Sequence, residues 1–362
     1  MTNVDPPESI PDGQETKFRG LYGKCIHQKL QTFPEASKRT NLREDLDRQR
    51  QHRKLISYSI FPFVQGSPAG YKFFKVEPLE ELGVPNFDFL LWNFDGSVIF
   101  GEAKSSIPSS AKRVVNQLKK RKKVAEDHQD YIENNYLGSD IDHMEFVVAT
   151  YVNHGDKIAK NIIEEGAEFV TWVVDAHWDT LWIREAMPSS FPDNLETDEP
   201  DAMLEEVRRR HTHDMTELNT ELDRVETSLG QVDILPTSAI VDRLRVVVQA
   251  RRVEGRHPCI DREDIEEYVL NSALNYDEDR VGEIVDDVID GGRRINFLSE
   301  WENGLAEFKI TSNYTAKDDL ETVLENKWID WKIEGLKNEL RNECEKRVAA
   351  EIGRQSQLSN FV

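Results

Sequence analysis

Gly83-Val84-Pro85-Asn86-Phe87-Asp88-Phe89-Leu90-Leu91-Trp92 and, after a turn at 93–96, Ser97-Val98-Ile99-Phe100-Gly101-Glu102-Ala103-Lys104 decide how this chain folds. Both runs are apolar, aromatic and β-branched, and Asp95-Gly96 between them is a turn signal, so together they predict an antiparallel hairpin. Apolar residues occupy both faces: Phe87, Phe89 and Leu91 against Leu90 and Trp92, then Ile99 and Gly101 against Val98 and Phe100. Such strands need cover on both sides, as in an α/β sandwich. Charges at the ends of otherwise buried strands are costly unless they are paired or used. Asp88 opens the first strand, and Glu102 and Lys104 close the second.

Glu102 and Lys104 are two apart, so their side chains leave the same face of a strand. A two-residue turn at Asp95-Gly96 would pair Asp88 with Ala103 and send it to the wrong face. A three-residue loop (94–96), or one bulge, pairs Asp88 with Glu102 instead, and this register is expected. It would set the two Cβ atoms roughly 4.5–5.5 Å apart, near enough to share one cation. Paired carboxylates are hard ligands suited to Mg²⁺, with Mn²⁺ as a substitute. The ion would lower the pKa of a bound water and stabilise developing negative charge. Lys104 would place a compact positive charge beside that water. Glu307-Phe308-Lys309 and Glu325-Asn326-Lys327 repeat the Glu-x-Lys pattern, but neither follows a Pro-x-x-Asp strand.

Pro85, Asp88 and Glu102-Ala103-Lys104 together resemble the signature of the PD-(D/E)XK nuclease superfamily. The resemblance covers roughly residues 17–187 and implies a restriction-endonuclease-like αβββαβ sandwich with Asp88 and Glu102 as metal ligands and Lys104 as their catalytic neighbour. Members often carry a further acid on the helix before the first core strand. Glu44 is one candidate, though it also pairs naturally with Arg48 at i+4; Glu77, directly after that strand, is its rival. Gln117 resembles a glutamine that several branches hold near the metal. Gly23-Lys24-Cys25-Ile26-His27 resembles the first motif of the helicase-associated branch, without the acid that should follow.

The element order agrees with that core. Helices are expected at 17–33 (stopped by Pro34) and at 42–58 (capped by Asn41), then a strand at Tyr71–Val76 and the hairpin. Ser109 or Ser110 caps a helix through about residue 134, followed by a buried strand at 144–152. A helix at 156–165 closes on Gly166 in the left-handed region, and strands follow near 169–174 and 180–183. The helix from 109 carries Lys112, Arg113, Lys119, Lys120, Arg121, Lys122 and Lys123, the densest cationic run in the chain. Its place directly after the acids favours contact with nucleic-acid phosphates.

Residues 1–16 read as a disordered polar tail, and 188–200 as a Pro/Ser/acid linker. From 201 to 231, His211, Met215, Leu218, Leu222, Val225 and Leu229 form a heptad seam. The 204–229 seam either makes a homodimer or, slightly favoured, packs on the C-terminal helix of 312–362, where Leu324, Trp328, Leu340 and Cys344 recur at helical spacing. Between them, 232–311 resembles a winged helix: three short helices, then a hairpin of Ile295–Trp301 and Leu305–Thr311. Arginines 243, 245, 251, 252 and 256 cluster on its first helix and loop. The segment that would read a groove, Asp261 to Asn275, is acidic, so contact with DNA or with protein stays open. The C-terminal half is thus mostly helical.

Length 362 gives room for two or three domains. Lys+Arg 46 against Asp+Glu 68 leaves a net charge of −22, so any nucleic-acid binding must use a local patch. Cys25, Cys259 and Cys344 are odd in number and far apart, which predicts a reducing compartment and no disulfide framework. With no signal peptide or membrane-length apolar run, the expectation is a cytoplasmic protein. Two functions compete: a metal-dependent DNA endonuclease of restriction or host-defence type, and a non-catalytic DNA-binding or oligomerisation scaffold, with a repair nuclease as a variant of the first.

Overall fold

The computed structural model describes residues 6–7, 10–11, 13–64, 73–76, 78–92, 96–106, 111–177, 180–186, 211–212, 259–270, 278–298, 305–307 and 317–359. The chain is mixed α/β and divides into two units, one of residues 1–46, 294–297 and 310–362, the other of 47–293 and 298–309.

The larger unit is organised by a seven-stranded sheet in sequential order. Strands β1 (Phe73–Val76), β2 (Phe89–Trp92) and β3 (Ser97–Lys104) run antiparallel to one another. Strands β4 (His143–Tyr151) and β5 (Val170–His177) continue parallel to β3. Strand β6 (Thr180–Glu185) and the short edge β7 (His211–Thr212) return antiparallel. The β2–β3 register pairs Phe89 with Gly101, Leu90 with Phe100 and Trp92 with Val98. Extended by one residue, it sets Asp88 opposite Glu102, as expected of the odd-length loop.

Strand β3 is buried from Ser97 through Ala103, as its continuous apolar composition requires. Helix α3 (Ala111–Asp127) follows β3. After a break at His128, α4 (Gln129–Ile132) and a π-turn at Glu133–Leu137 lead into β4; α5 (Gly155–Glu164) joins β4 to β5. Val114, Val115 and Leu118 of α3 and Ile158 and Ile162 of α5 form one core with Leu90, Val98, Phe100, Phe146 and Val148 of the sheet. Gly166 takes φ 57°, the left-handed closure expected after α5. The order α-β-β-β-α-β-α-β is therefore present, with the helix before β1 being α2 (Glu35–Val64).

In the smaller unit, α1 (Glu15–Gln31) lies against the C-terminal helix. Phe18, Tyr22 and Ile26 of α1 pack with Cys344, Val348 and Ile352. The start of α2 is tied to the C-terminal helix by Arg39–Asp330 at 2.6 Å and Lys337–Glu35 at 2.8 Å.

Several expectations are corrected. Ile10, placed in a disordered tail, is buried in the α1 cluster. Asn41 caps nothing: Pro34 precedes a single helix, α2, and its carbonyl takes the first bond, from Lys38 N–H at 3.0 Å. Cys25 and Cys344 form a disulfide with Cα atoms 5.9 Å apart, so the reasoning from spacing to a disulfide-free chain fails. A separation of 319 residues is no obstacle once α1 and the C-terminal helix are neighbours. Among the described residues the C-terminal helix packs on α1. His211 of the heptad seam lies in β7, and the remainder of the seam lies outside the described residues.

In 232–311, the described helices are α6 (Arg262–Leu270) and α7 (Glu278–Arg294). The C-terminal helix itself is α8 (Lys317–Ser359). Ile295–Asn296 is a turn, with Asn296 at φ 57°, where a strand was expected. Among the described residues, β9 (Leu305–Glu307) pairs with β8 (Cys259–Asp261), and most of the expected hairpin lies outside the described residues. The first expected helix and the arginine cluster fall outside the described residues. No helix among the described residues is long and apolar enough to cross a membrane.

Candidate active site

At the carboxyl end of β3 the sheet carries charge inward. Glu102 and Lys104 continue the face of Val98 and Phe100, toward α3. Glu102 is only 1% exposed. A buried carboxylate this deep needs cations, and it has two: Lys104 Nζ meets Oε1 and Arg121 Nη1 meets Oε2. Thr150 of the neighbouring β4 donates its hydroxyl to the Lys104 carbonyl at 2.8 Å, fixing the strand end that presents the lysine.

Asp88 is held by backbone. Its N–H donates to the Gly101 carbonyl at 3.0 Å, and its Oδ2 accepts from Ala103 N–H at 2.6 Å. Oδ1 faces His52 Nε2 at 3.6 Å, across from the C-terminal half of α2. Burial alone would raise the pKa of the Asp88 carboxyl. The His52 imidazole, the Lys104 ammonium and the Ala103 N–H outweigh it and hold the group below its ordinary range. Burial pushes Lys104 below the usual lysine value, only partly offset by Asp88.

The cationic helix divides by periodicity. Val114, Val115, Leu118 and Ala125 mark the inward stripe of α3, and Arg121 and Lys122 lie within it. Arg121 therefore reaches Glu102 rather than solvent. Lys122 pairs with Glu168 at 2.7 Å and stands over the Phe146 ring at 5.1 Å. On the outer face, Lys112, Arg113, Asn116, Gln117 and Lys120 line an open concavity of about 480 Å³. Lys112 also pairs with Glu165 at 3.1 Å, and Lys119 donates to the Glu165 carbonyl at 2.6 Å. Lys123 is exposed.

No protein-family model, curated protein or solved structure matches this chain.

Asp88, Glu102 and Lys104 come together as the hairpin register requires. Arg121 joins them from the group assigned to phosphate. Gln117 is exposed, on the outer concavity one turn before Arg121. Glu44 is exposed and belongs to the smaller unit. Glu77 lies outside the described residues. The helix before the first core strand does present a group to Asp88, and that group is a histidine. A signal for His52 existed: it sits three and four residues before Leu55 and Ile56, both buried, and so falls on the inward stripe of α2.

Proposed function

We propose that this chain is a metal-dependent phosphodiesterase acting on DNA, with a restriction-endonuclease-like core and a restriction or host-defence role. The observation that carries the reading is the β2–β3 register, which sets Asp88 across from Glu102 with Lys104 on the Glu102 face. Their chemistry fits a divalent ion, two carboxylates at one strand end being hard donors. Among the described residues no three His, Cys, Asp or Glu side chains converge tightly enough to hold an ion alone. Asp88 and Glu102 would supply protein oxygens to it, leaving its other positions to further donors, water and a substrate phosphate. When bound, such an ion supplies Lewis acidity and an acidified water.

The chain's own groups do the positioning. Ala103 N–H binds Oδ2 of Asp88 and so turns Oδ1 toward His52. Lys104, drawn partly out of water, offers its charge to the scissile phosphate. Arg121 offsets the Glu102 charge. Arg113 and Lys120, exposed on α3, suit the flanking backbone of a polyanion.

One observation favours a second reading. Both Glu102 oxygens are engaged by Lys104 and Arg121, an arrangement that also suits a closed structural ion cluster in a DNA-binding scaffold. Digestion of plasmid and linear DNA with Mg²⁺ or Mn²⁺, from low to molar salt, separates the two. Asp88→Asn should abolish cleavage and spare binding. A wild-type protein that binds DNA and cuts none under every metal and salt tested is a scaffold.

A further inference from the structure

We infer that His52 is itself a ligand of the ion at this site, so that the centre takes a first-row transition dication such as Mn²⁺ or Co²⁺ in preference to Mg²⁺. This rests on reading the site as a metal site. The imidazole is placed by a packed element. Leu55, Ile56, Ser59 and Ile60, on the following turns of α2, are all buried, and Tyr151 at the end of β4 donates its hydroxyl to the Gln51 carbonyl at 2.9 Å. His52 itself is 38% exposed, so its ring borders solvent and not the core.

The geometry at Asp88 is specific. Oδ2 is bound by Ala103 N–H at 2.6 Å, which turns Oδ1 toward His52 Nε2. Their separation of 3.6 Å is too long for a hydrogen bond. It is well within the span of two atoms bound to one ion at roughly 2.0–2.2 Å each. Glu102, the other acid, is occupied by Lys104 and Arg121, so the groups that face each other across a gap of ligand size are His52 and Asp88. Imidazole nitrogen suits transition dications, whereas Mg²⁺ takes oxygen and parts with water reluctantly.

The test uses the full chain. The EPR signal of unbound Mn²⁺ is followed during titration of wild type, His52→Ala and His52→Asn, with Mg²⁺ as competitor. Wild type should bind Mn²⁺ at least about tenfold more tightly than Mg²⁺. Both variants should lose most of that preference. Pulsed EPR of the wild-type Mn²⁺ complex should show nitrogen coupling from one imidazole, a readout that needs no variant. Absent coupling, unchanged Mn²⁺ affinity in a folded His52→Ala, or equal affinity for the two ions overturns the inference. Cleavage supported by Mg²⁺ in that case would leave the nuclease reading standing. Mn²⁺ bound through His52 without any cleavage would uphold the inference and remove the nuclease reading.

Discussion

Gly101→Ala tests the geometry on which the site depends. Gly101 lies directly opposite Phe89 in the β2–β3 ladder, and a methyl built there overlaps the Phe89 ring, far inside the contact distance of about 3.5–4.0 Å. Phe89 is fully buried, so its ring has no open space to enter. Overpacking of this kind costs about 1–3 kcal/mol. Phe89→Ala alone should cost about 3–5 kcal/mol by leaving a cavity. Combined, the two should relieve each other. The new methyl occupies space the ring has left, and exchanging glycine for alanine in a strand interior recovers about 0.5–1 kcal/mol. Urea unfolding of wild type, both single variants and the double variant gives the coupling, expected at about 1–3 kcal/mol and favourable. A Gly101→Ala cost equal in both backgrounds to within about 0.5 kcal/mol would refute the ring-over-glycine contact and, with it, the register. Since the Gly101 carbonyl accepts the Asp88 N–H, folded Gly101→Ala should also lose cleavage out of proportion to its lost stability.

Four further outcomes rest on named contacts. Reduction, or Cys344→Ser, should destabilise the smaller unit by about 2–4 kcal/mol; a melting temperature indifferent to dithiothreitol would contradict the Cys25–Cys344 link. Asp88 has a lowered folded pKa, so its contribution is complete above the unfolded value of about 3.9 and is lost as pH falls through and below it. Acid titration of stability should therefore be shallower in Asp88→Asn than in wild type, and identical curves would count against the His52 and Lys104 contacts. Arg113→Glu with Lys120→Glu should weaken DNA binding for all sequences and flatten the salt dependence by about two phosphate contacts. Arg121→Ala should leave that slope unchanged and cost about 1–3 kcal/mol, less than a fully buried pair because Arg121 is 27% exposed.

The hairpin was legible because two constraints coincide in it. Apolar residues on both faces demand a covered sheet, and one parity alone sets Asp88 opposite Glu102. What escaped was of two kinds. Long-range pairings leave no local trace: nothing near Cys25 points to Cys344, and nothing in Cys259-Ile260-Asp261 names Leu305–Glu307 as its partner. Those two strands lie more than forty residues apart in the chain. Other features were visible and misread. Asn41 has the side chain of a cap, but the helix has already started at Pro34. His52 is marked in the sequence only by its spacing from Leu55 and Ile56 on the inward stripe of α2.

The cationic run shows why periodicity must be applied before charge is counted. Lys119 to Lys123 read as one basic patch only if the helix is ignored. On a helix, Arg121 and Lys122 fall in the stripe of Leu118 and Ala125, and their charges are spent on Glu102 and Glu168. Arg113, Lys120 and Lys123 remain exposed, and among the described residues no ion pair holds them. In a chain of net charge −22 these few matter more than the total, since beyond about 8 Å at physiological salt the remaining acids are largely screened. The inward pair has a different consequence. A cation entering at Glu102 must compete with Lys104 and Arg121 for the same two oxygens, whereas one entering at Asp88 meets a carboxylate with one oxygen turned toward His52. Occupancy should thus begin at Asp88, and substitution of Asp88 should lower metal affinity more than substitution of Glu102 does. The reverse order would place the ion on the Lys104 side and return His52 to a bystander.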